Sequence, residues 1–386
     1  MRAIVNATLV LRDHYLPDAV ILMEDGCIKA FGESSEITVP EGTELIDAGG
    51  LFVGPGLVDI HTHAGGDHSF LRDIPGACQE HLMGGTTSVL ATYGYRNSQA
   101  NMILGLDRAR EAMENDPRCA NLAGVYMEGP YLNSNFGAGK DDLPWNKPID
   151  PADYLPVLQA GKGLVRVYAT APERENILSF IQDARAVDPN VVFTVGHSEA
   201  TPEQVERLIP YGLCLGTHHT NATGTIVKYP ECRGCCVDEA VNYNDRIYAE
   251  LICDSHGIHV APYMLRLVRK IKGDDKIILI TDATAALKEE GRQTGLYEGV
   301  DDINFDFQEE ISGTRMRLNQ ACRNMMKHTG ASLVDVFKFA SYNPAQAVRL
   351  TDRGEIAEGK RADLILVDHL MNVKTVLIKG RIEYQA

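Results

Sequence analysis

The chain has 386 residues, 44% apolar and 23% charged, and carries a net charge of −16 from 37 basic and 53 acidic side chains. That length suits a barrel with a small companion domain, and the apolar share supports a large buried core. The negative charge argues against nucleic acid and anionic membranes as partners, although a local cluster of donors can still hold a small anionic substrate.

The opening stretch, MRAIVNATLVLRDHYLPDAV, shows no basic region followed by a long apolar run. No segment reaches the ~18 apolar residues of a membrane span. The expected compartment is therefore the cytoplasm. Nine cysteines, an odd count, do not read as a disulfide framework. Cys232, Cys235 and Cys236 read as loop residues rather than a second metal site, because no matching Cys/His pair follows at finger spacing.

In chain order, the first ~50 residues alternate short apolar strands with turn signals. Asp25-Gly26 has the composition of a hairpin turn. Residues from about 350 to the end repeat this character in ADLILVD and VKTVLIKGRIEY. Residues 1–52 and 350–386 are expected to form one small β-sandwich domain. Residues 53–349 have a different rhythm. Eight short apolar runs recur: LVDIHTH, TTSVLATY, LAGVYMEG, LVRVYAT, VVFTVGH, LCLGTHH, IYAELICD and IILITDA. Near-continuous apolar character implies burial on both faces, as in a parallel sheet. Helical patterns separate them, such as NMILGLDRAREAMEN and PYMLRLVRKIK, and Thr201 ahead of Glu203-Gln204 reads as a capped helix start. Eight alternating units predict an α/β fold of the closed (β/α)₈ type. An open doubly wound sheet is the alternative, but no Gly-rich dinucleotide loop follows the first run.

Ligand-type residues end these runs. His61 and His63 close the first, Glu128 the third, His197 the fifth, His218-His219 the sixth and Asp282 the eighth. In a closed barrel those ends share one face, where active sites are built. Residues i and i+2 of a strand share a face, so both imidazoles of His61 and His63 can point into the mouth. One such His alone is more often a satisfied core imidazole, and Glu128 alone could be a buried ion-pair partner. Together they point to a metal, with zinc, iron or manganese suited to imidazole and carboxylate. Asp282 is placed to move a proton, or else to orient a ligand histidine. No Gly-X-Ser-X-Gly elbow suggests a nucleophilic side chain.

These residues resemble the amidohydrolase superfamily. The finer motifs are similar to its N-acetylglucosamine-6-phosphate deacetylase family: PGLVDIHTHAGG, MEGPYLN, TAPE, GHSEAT, THHTNA, DSHGIHV, ITDATA and ISGT. The resemblance covers essentially the whole chain. It implies hydrolysis of a linear amide, a sugar acetamide, to amine and acetate. It implies Glu128, His197 and His218 as ligands of the main divalent metal, His61 and His63 as ligands of a second, and Asp282 as the base. Asn221 and Ala222 would meet the sugar phosphate, with His259 also at the substrate. His256, where the family has Asp, or His259 would help stabilise the oxyanion. Ser312 and Gly313 would pack on the acetyl side. A homodimer is implied as the assembly. The chain departs from the family after EGP, where Ala138 and Lys140 stand in a segment lacking the usual histidine. It departs again in loop 223–236, where Lys228 or Arg233 would have to replace the phosphate-binding arginine. A reshaped pocket for another N-acyl substrate, such as an unphosphorylated N-acetyl sugar or an N-acyl amino acid, is the second reading.

Overall fold

The computed structural model describes residues 1–137, 143–224, 227–285, 299–306 and 310–386. Its centre is an eight-stranded parallel sheet. The strands are β1 (Leu57–Thr62), β2 (Thr86–Gly94), β3 (Leu122–Glu128), β4 (Val165–Thr170), β5 (Val192–Val195), β6 (Leu213–Gly216), β7 (Tyr248–Ile252) and β8 (Ile277–Ile280). They pair in sequence order from β1 to β8. All seven residues of β3 and all four of β8 are buried, which explains why their sequences are unbroken apolar runs.

The seam between β8 and β1 is closed mainly beyond a regular ladder. Thr281 Oγ1 donates to Asp59 Oδ2 at 2.6 Å, and the backbone N–H of Asp282 donates to the His61 carbonyl at 2.9 Å. The His63 and Ala64 N–H groups both donate to the Ala283 carbonyl at 2.8 Å. The last strand is thereby locked to the first at and just beyond the strand ends.

The helices follow the sequence patterns. Gln99–Asn115 and Pro262–Lys272 lie on the runs that predict them. Thr201 starts Pro202–Leu208 with a capping box, its hydroxyl accepting from the Gln204 N–H while the Gln204 side chain accepts from Thr201.

Residues from both chain ends build a second, mixed sheet. Its order is Arg381–Gln385, Val373–Ile378, Leu364–Val367, Phe52–Pro55, Arg2–Val10, Tyr15–Glu24 and Cys27–Glu33, with Glu44–Asp47 beside Arg2–Val10. Asp25 and Gly26 turn the hairpin with φ of 53° and 80°, the left-handed pair a two-residue turn requires. A bridge between Cys27 and Arg361 folds this sheet over its own core of Ile4, Leu9, Ile21, Val53, Leu364 and Leu377. Alternate residues turn the other way. Ile365, Val367, Val376 and Ile378 join the barrel core, as the period of two along a strand dictates.

Candidate metal-hydrolase site

Five strand ends deliver the site. Glu128 closes β3 and is almost fully buried. Its Oε1 accepts from His197 Nε2 at 2.8 Å and lies 3.4 Å from His218 Nε2. His197 and His218 follow β5 and β6, and their Nε2 atoms are 2.9 Å apart. The other oxygen of Glu128 is 3.3 Å from His63 Nε2, and His61 Nε2 is 3.8 Å from Oε1. Asp282, just past β8, faces both first-strand imidazoles, with Oδ1 3.4 Å from His63 Nε2 and 3.7 Å from His61 Nε2.

Three of these residues hold backbone conformations that L-residues rarely adopt. φ is 46° at His197, 28° at His218 and 45° at Asp282. Such positions cost about 1–3 kcal/mol each and persist where the surroundings over-determine them. Each lies two residues beyond a strand, where the turn swings the side chain inward over the barrel mouth.

The buried acids and imidazoles set one another's protonation. Burial pushes the Glu128 carboxyl up, but His197, His218 and His63 outweigh it and hold it well below the usual carboxylate range. Burial likewise opposes ionisation of Asp282, and His63 and His61 reverse it. On the other side, burial pushes His63 down, yet its bonds to Asp282 and Glu128 raise it to about 10. His218 is raised against burial by the same carboxylates. His61 Nε2 is buried with no hydrogen-bond partner among the described residues. Ligand atoms of Glu128, His197 and His218 lie within 4.8 Å of one another, as do those of His61, His63 and Glu128. Two imidazoles with a shared carboxylate, twice over, is a donor set that fits one or two divalent ions.

The surrounding residues divide. Asn221 and Ala222 lie three and four residues after His218. Ala222 has φ 51° and its carbonyl accepts from the Ser198 N–H at 3.3 Å, while Asn221 Nδ2 is buried without a partner among the described residues. His259 is nearly buried, with Nδ1 3.3 Å from Asp254 Oδ2 and Nε2 unpartnered among the described residues. His256 instead is exposed, with Nδ1 2.8 Å from the Ser255 hydroxyl. Ser312 and Gly313 lie on Ile311–Thr314, which hydrogen-bonds alongside Asp282. Gly313 has φ 78°, and a Cβ there would come within 2.3 Å of the Asp282 carbonyl oxygen. Arg233 is exposed and paired with Glu239. Lys228 lies on Val227–Tyr229. Its side chain, together with Ala138 and Lys140, falls outside the described residues.

Sequence reasoning passed over three buried acids. Glu250, in the middle of β7, has Oε2 3.2 Å from His61 Nδ1. Asp254 accepts from the N–H groups of His256, Ile258 and His259 and so shapes the DSHGIHV turn. Burial pushes Asp254 up, but His259 and those N–H groups hold it far below the ordinary carboxylate range. Asp59 ties β1 to Thr281. The available signal was the same for Glu250 and Asp59: one acid within an otherwise apolar strand, which must have a buried partner.

Comparison with known proteins agrees with this geometry. The model of the amidohydrolase family matches residues 52–382. An N-acetylglucosamine-6-phosphate deacetylase of Lysinibacillus sphaericus is 30% identical, over 95% of this chain and 93% of that protein. An N-acetylgalactosamine-6-phosphate deacetylase of Escherichia coli O157:H7 is 27% identical, over 97% of both chains. Among solved structures, a Mycobacterium smegmatis N-acetyl-D-glucosamine-6-phosphate deacetylase in complex with N-acetyl-D-glucosamine-6-phosphate superposes with a TM-score of 0.81. It is 28% identical and covers 99% of this chain and 98% of that one. With a family model spanning most of its length and the family's ligand-type residues gathered at one barrel mouth, the chain belongs to the amidohydrolase family.

Proposed function

We propose that this protein is a metal-dependent deacetylase that hydrolyses the acetamide of N-acetylglucosamine 6-phosphate to the amino sugar phosphate and acetate. The observation that carries the reading is the meeting of Glu128, His197 and His218 within 4.8 Å, with the Asp282 carboxylate facing the same space from β8. Glu128, His197 and His218 would hold one ion, and His61 and His63, with Glu128, a second. When bound, such an ion polarises the amide carbonyl and acidifies water.

The chain's own residues do the rest. Asp282, kept ionised by His63 and His61, takes a proton from the attacking water and returns it to the departing nitrogen. His259 is held by Asp254 with its Nε2 free of protein partners among the described residues, so it is placed to hydrogen-bond a substrate oxygen. Asn221 offers a buried amide, without a partner among the described residues, to the sugar phosphate. His256, exposed and bonded to Ser255, is less suited to the oxyanion. Arg233 would have to leave Glu239 to reach a phosphate. The finer reading takes zinc as the native metal, a homodimer as the assembly and the cytoplasm as the compartment. Support for these comes from the family resemblance, and no helix among the described residues is long and apolar enough to cross a membrane.

The deciding assay measures acetate release from N-acetyl hexosamines of both epimers, with and without the 6-phosphate, after chelation and after adding back zinc, iron or manganese. Release from the phosphorylated glucosamine derivative, restored by metal, is expected. Turnover of an N-acyl amino acid with none of the sugars would overturn the reading. Lys228→Ala and Arg233→Ala should raise KM for the phosphorylated sugar far more than for its unphosphorylated analogue. Equal effects on both would remove these side chains from phosphate binding.

A further inference from the structure

Glu250 occupies the centre of β7 and is fully buried. One of its oxygens, Oε2, makes two contacts. It lies 3.2 Å from His61 Nδ1 and accepts from the backbone N–H of His218 at 3.3 Å. The Glu250 carbonyl also accepts from the His219 N–H, at 2.7 Å. One side chain therefore reaches from β7 to a histidine of β1 and to the main chain of a histidine after β6.

A carboxylate offers only acceptors, so the proton in its contact with His61 belongs to Nδ1. That leaves Nε2 with the lone pair. Nε2 points into the carboxylate cluster, 3.8 Å from Glu128 Oε1 and 3.7 Å from Asp282 Oδ1. Those distances are too long for hydrogen bonds and leave space between the atoms. The His61 ring is also stacked on Tyr126, with centroids 4.4 Å apart and planes at 26°. A flip of the ring would break both the Glu250 contact and this stack. Among the described residues no carboxylate holds His63 Nδ1, and His63 keeps 23% side-chain exposure, against 0% for His61.

We propose that Glu250 is a positioning residue that holds His61 with its proton on Nδ1 and its Nε2 lone pair toward a second divalent ion, so that Glu250 sets whether the centre binds one ion or two. This rests on the metal-centre reading given above. Among the described residues, the first set, Glu128, His197 and His218, is hydrogen-bonded to Glu250 through the His218 main chain. None of its described side-chain donors is oriented by a hydrogen bond to Glu250, whose charge acts on the His218 imidazole without orienting it, so the second ion should respond more strongly to the loss of Glu250. Removing the partner that orients a ligand histidine weakens metal affinity by about 10–100-fold.

The test is a zinc titration of metal-free wild-type protein, Glu250→Leu and Glu250→Gln against a chromophoric chelator, with bound zinc counted after gel filtration. Wild type should take up two equivalents. Glu250→Leu should keep the first within about twofold and weaken the second by about 10–100-fold. Glu250→Gln should recover most of the second, because its amide oxygen still accepts the Nδ1 proton. The proposal is overturned if Glu250→Leu binds both ions as wild type does or loses both together. It is overturned equally if Glu250→Gln is as weak as Glu250→Leu, or if wild type binds a single ion. Wild type that binds none sinks the metal reading itself. Should Glu250→Leu fail to fold by near-UV circular dichroism, ¹⁵N spectra of the histidines in metal-free wild type decide. His61 protonated on Nδ1 is expected, and His61 protonated on Nε2 overturns the proposal.

Discussion

Asp282 illustrates how a single residue is prepared for its task. Its N–H is bound to the His61 carbonyl and its carbonyl accepts from Thr314, both at 2.9 Å, so its left-handed backbone is pinned on two sides. Its carboxylate faces His63 and His61. Replacement by Asn keeps the shape but removes the proton acceptor. Asp282→Asn is therefore expected to retain metal and lose about 10²–10⁴-fold in kcat. Metal content and kcat measured on the same preparation check this, and near-wild-type turnover would rule Asp282 out as the base. Gly313 is a second pinned point, because a Cβ there would strike the Asp282 carbonyl oxygen and its φ of 78° disfavours any side chain. Gly313→Ala should lower stability by about 1–3 kcal/mol and depress kcat through Asp282. Chemical denaturation and kinetics on one variant would show whether the two losses travel together. The strand-end residues were legible because a histidine or acid closing an apolar run stands out. Glu250 was not, because its meaning lies in one contact with His61 on a distant strand. Neither spacing nor motif encodes that contact.

Among the elements, the eight strands were legible from their apolar runs, since burial on both faces leaves no polar period to misread. Helix starts were legible where capping chemistry is local. Thr201→Ala removes the hydroxyl that accepts from the Gln204 N–H, and should cost about 1 kcal/mol in urea unfolding without altering KM. A loss under ~0.3 kcal/mol would mean that the cap contributes nothing beyond water. The seam between β8 and β1 was not legible, because the Asp59 side chain and bonds past the strand ends close it. Nor was the anchor of the loop after His218. There, Asp238 on helix Val237–Tyr243 accepts from the Thr223 hydroxyl at 3.2 Å. His219 Nδ1, 3.7 Å away, faces the same carboxylate. Burial pushes Asp238 up to about 6, with Glu239 adding to the rise and Thr223 and Arg233 opposing it. Burial pushes His219 down to about 4, so it offers no charge at neutral pH. A raised acid holds its proton longer in the folded state, so its contribution to stability falls as pH climbs from about 4 to 6. Asp238→Asn should therefore gain on wild type as pH rises through that window, by on the order of 2 kcal/mol. Unfolding free energies of both proteins at pH 4.5 and 7 give the difference directly. A gap that stays constant, or narrows toward pH 7, would show that Asp238 is not strained by burial.

At the scale of the whole molecule, the two chain ends and the barrel share side chains of the same strands. Leu364 and Leu366 enter the terminal core while Ile365 and Val367 enter the barrel core. The terminal sheet thus packs against the barrel core with one face and on its own core with the other. Short apolar strands between turn signals made that sheet legible, and pairing of the first residues with the last is a long-range fact that only their shared character at the two ends hinted at. The metal-ligand set works on the same scale. His61, Glu128, His197, His218 and Asp282 come from β1, β3, β5, β6 and β8 or the turns just beyond them, so five of the eight barrel units converge on one space. An ion bound there would be held only by the folded chain, because the unfolded chain cannot bring those five segments together. Stability should then follow free metal by mass action, gaining about 2.7 kcal/mol at a concentration 100 times Kd and rising further with its logarithm. Melting curves in chelator and across a zinc series should show Tm climbing by a few degrees with no plateau at stoichiometric metal. In His197→Ala that climb should be largely lost, because one donor of the first set is gone. An equal climb in the variant would place the stabilising ion elsewhere on the protein.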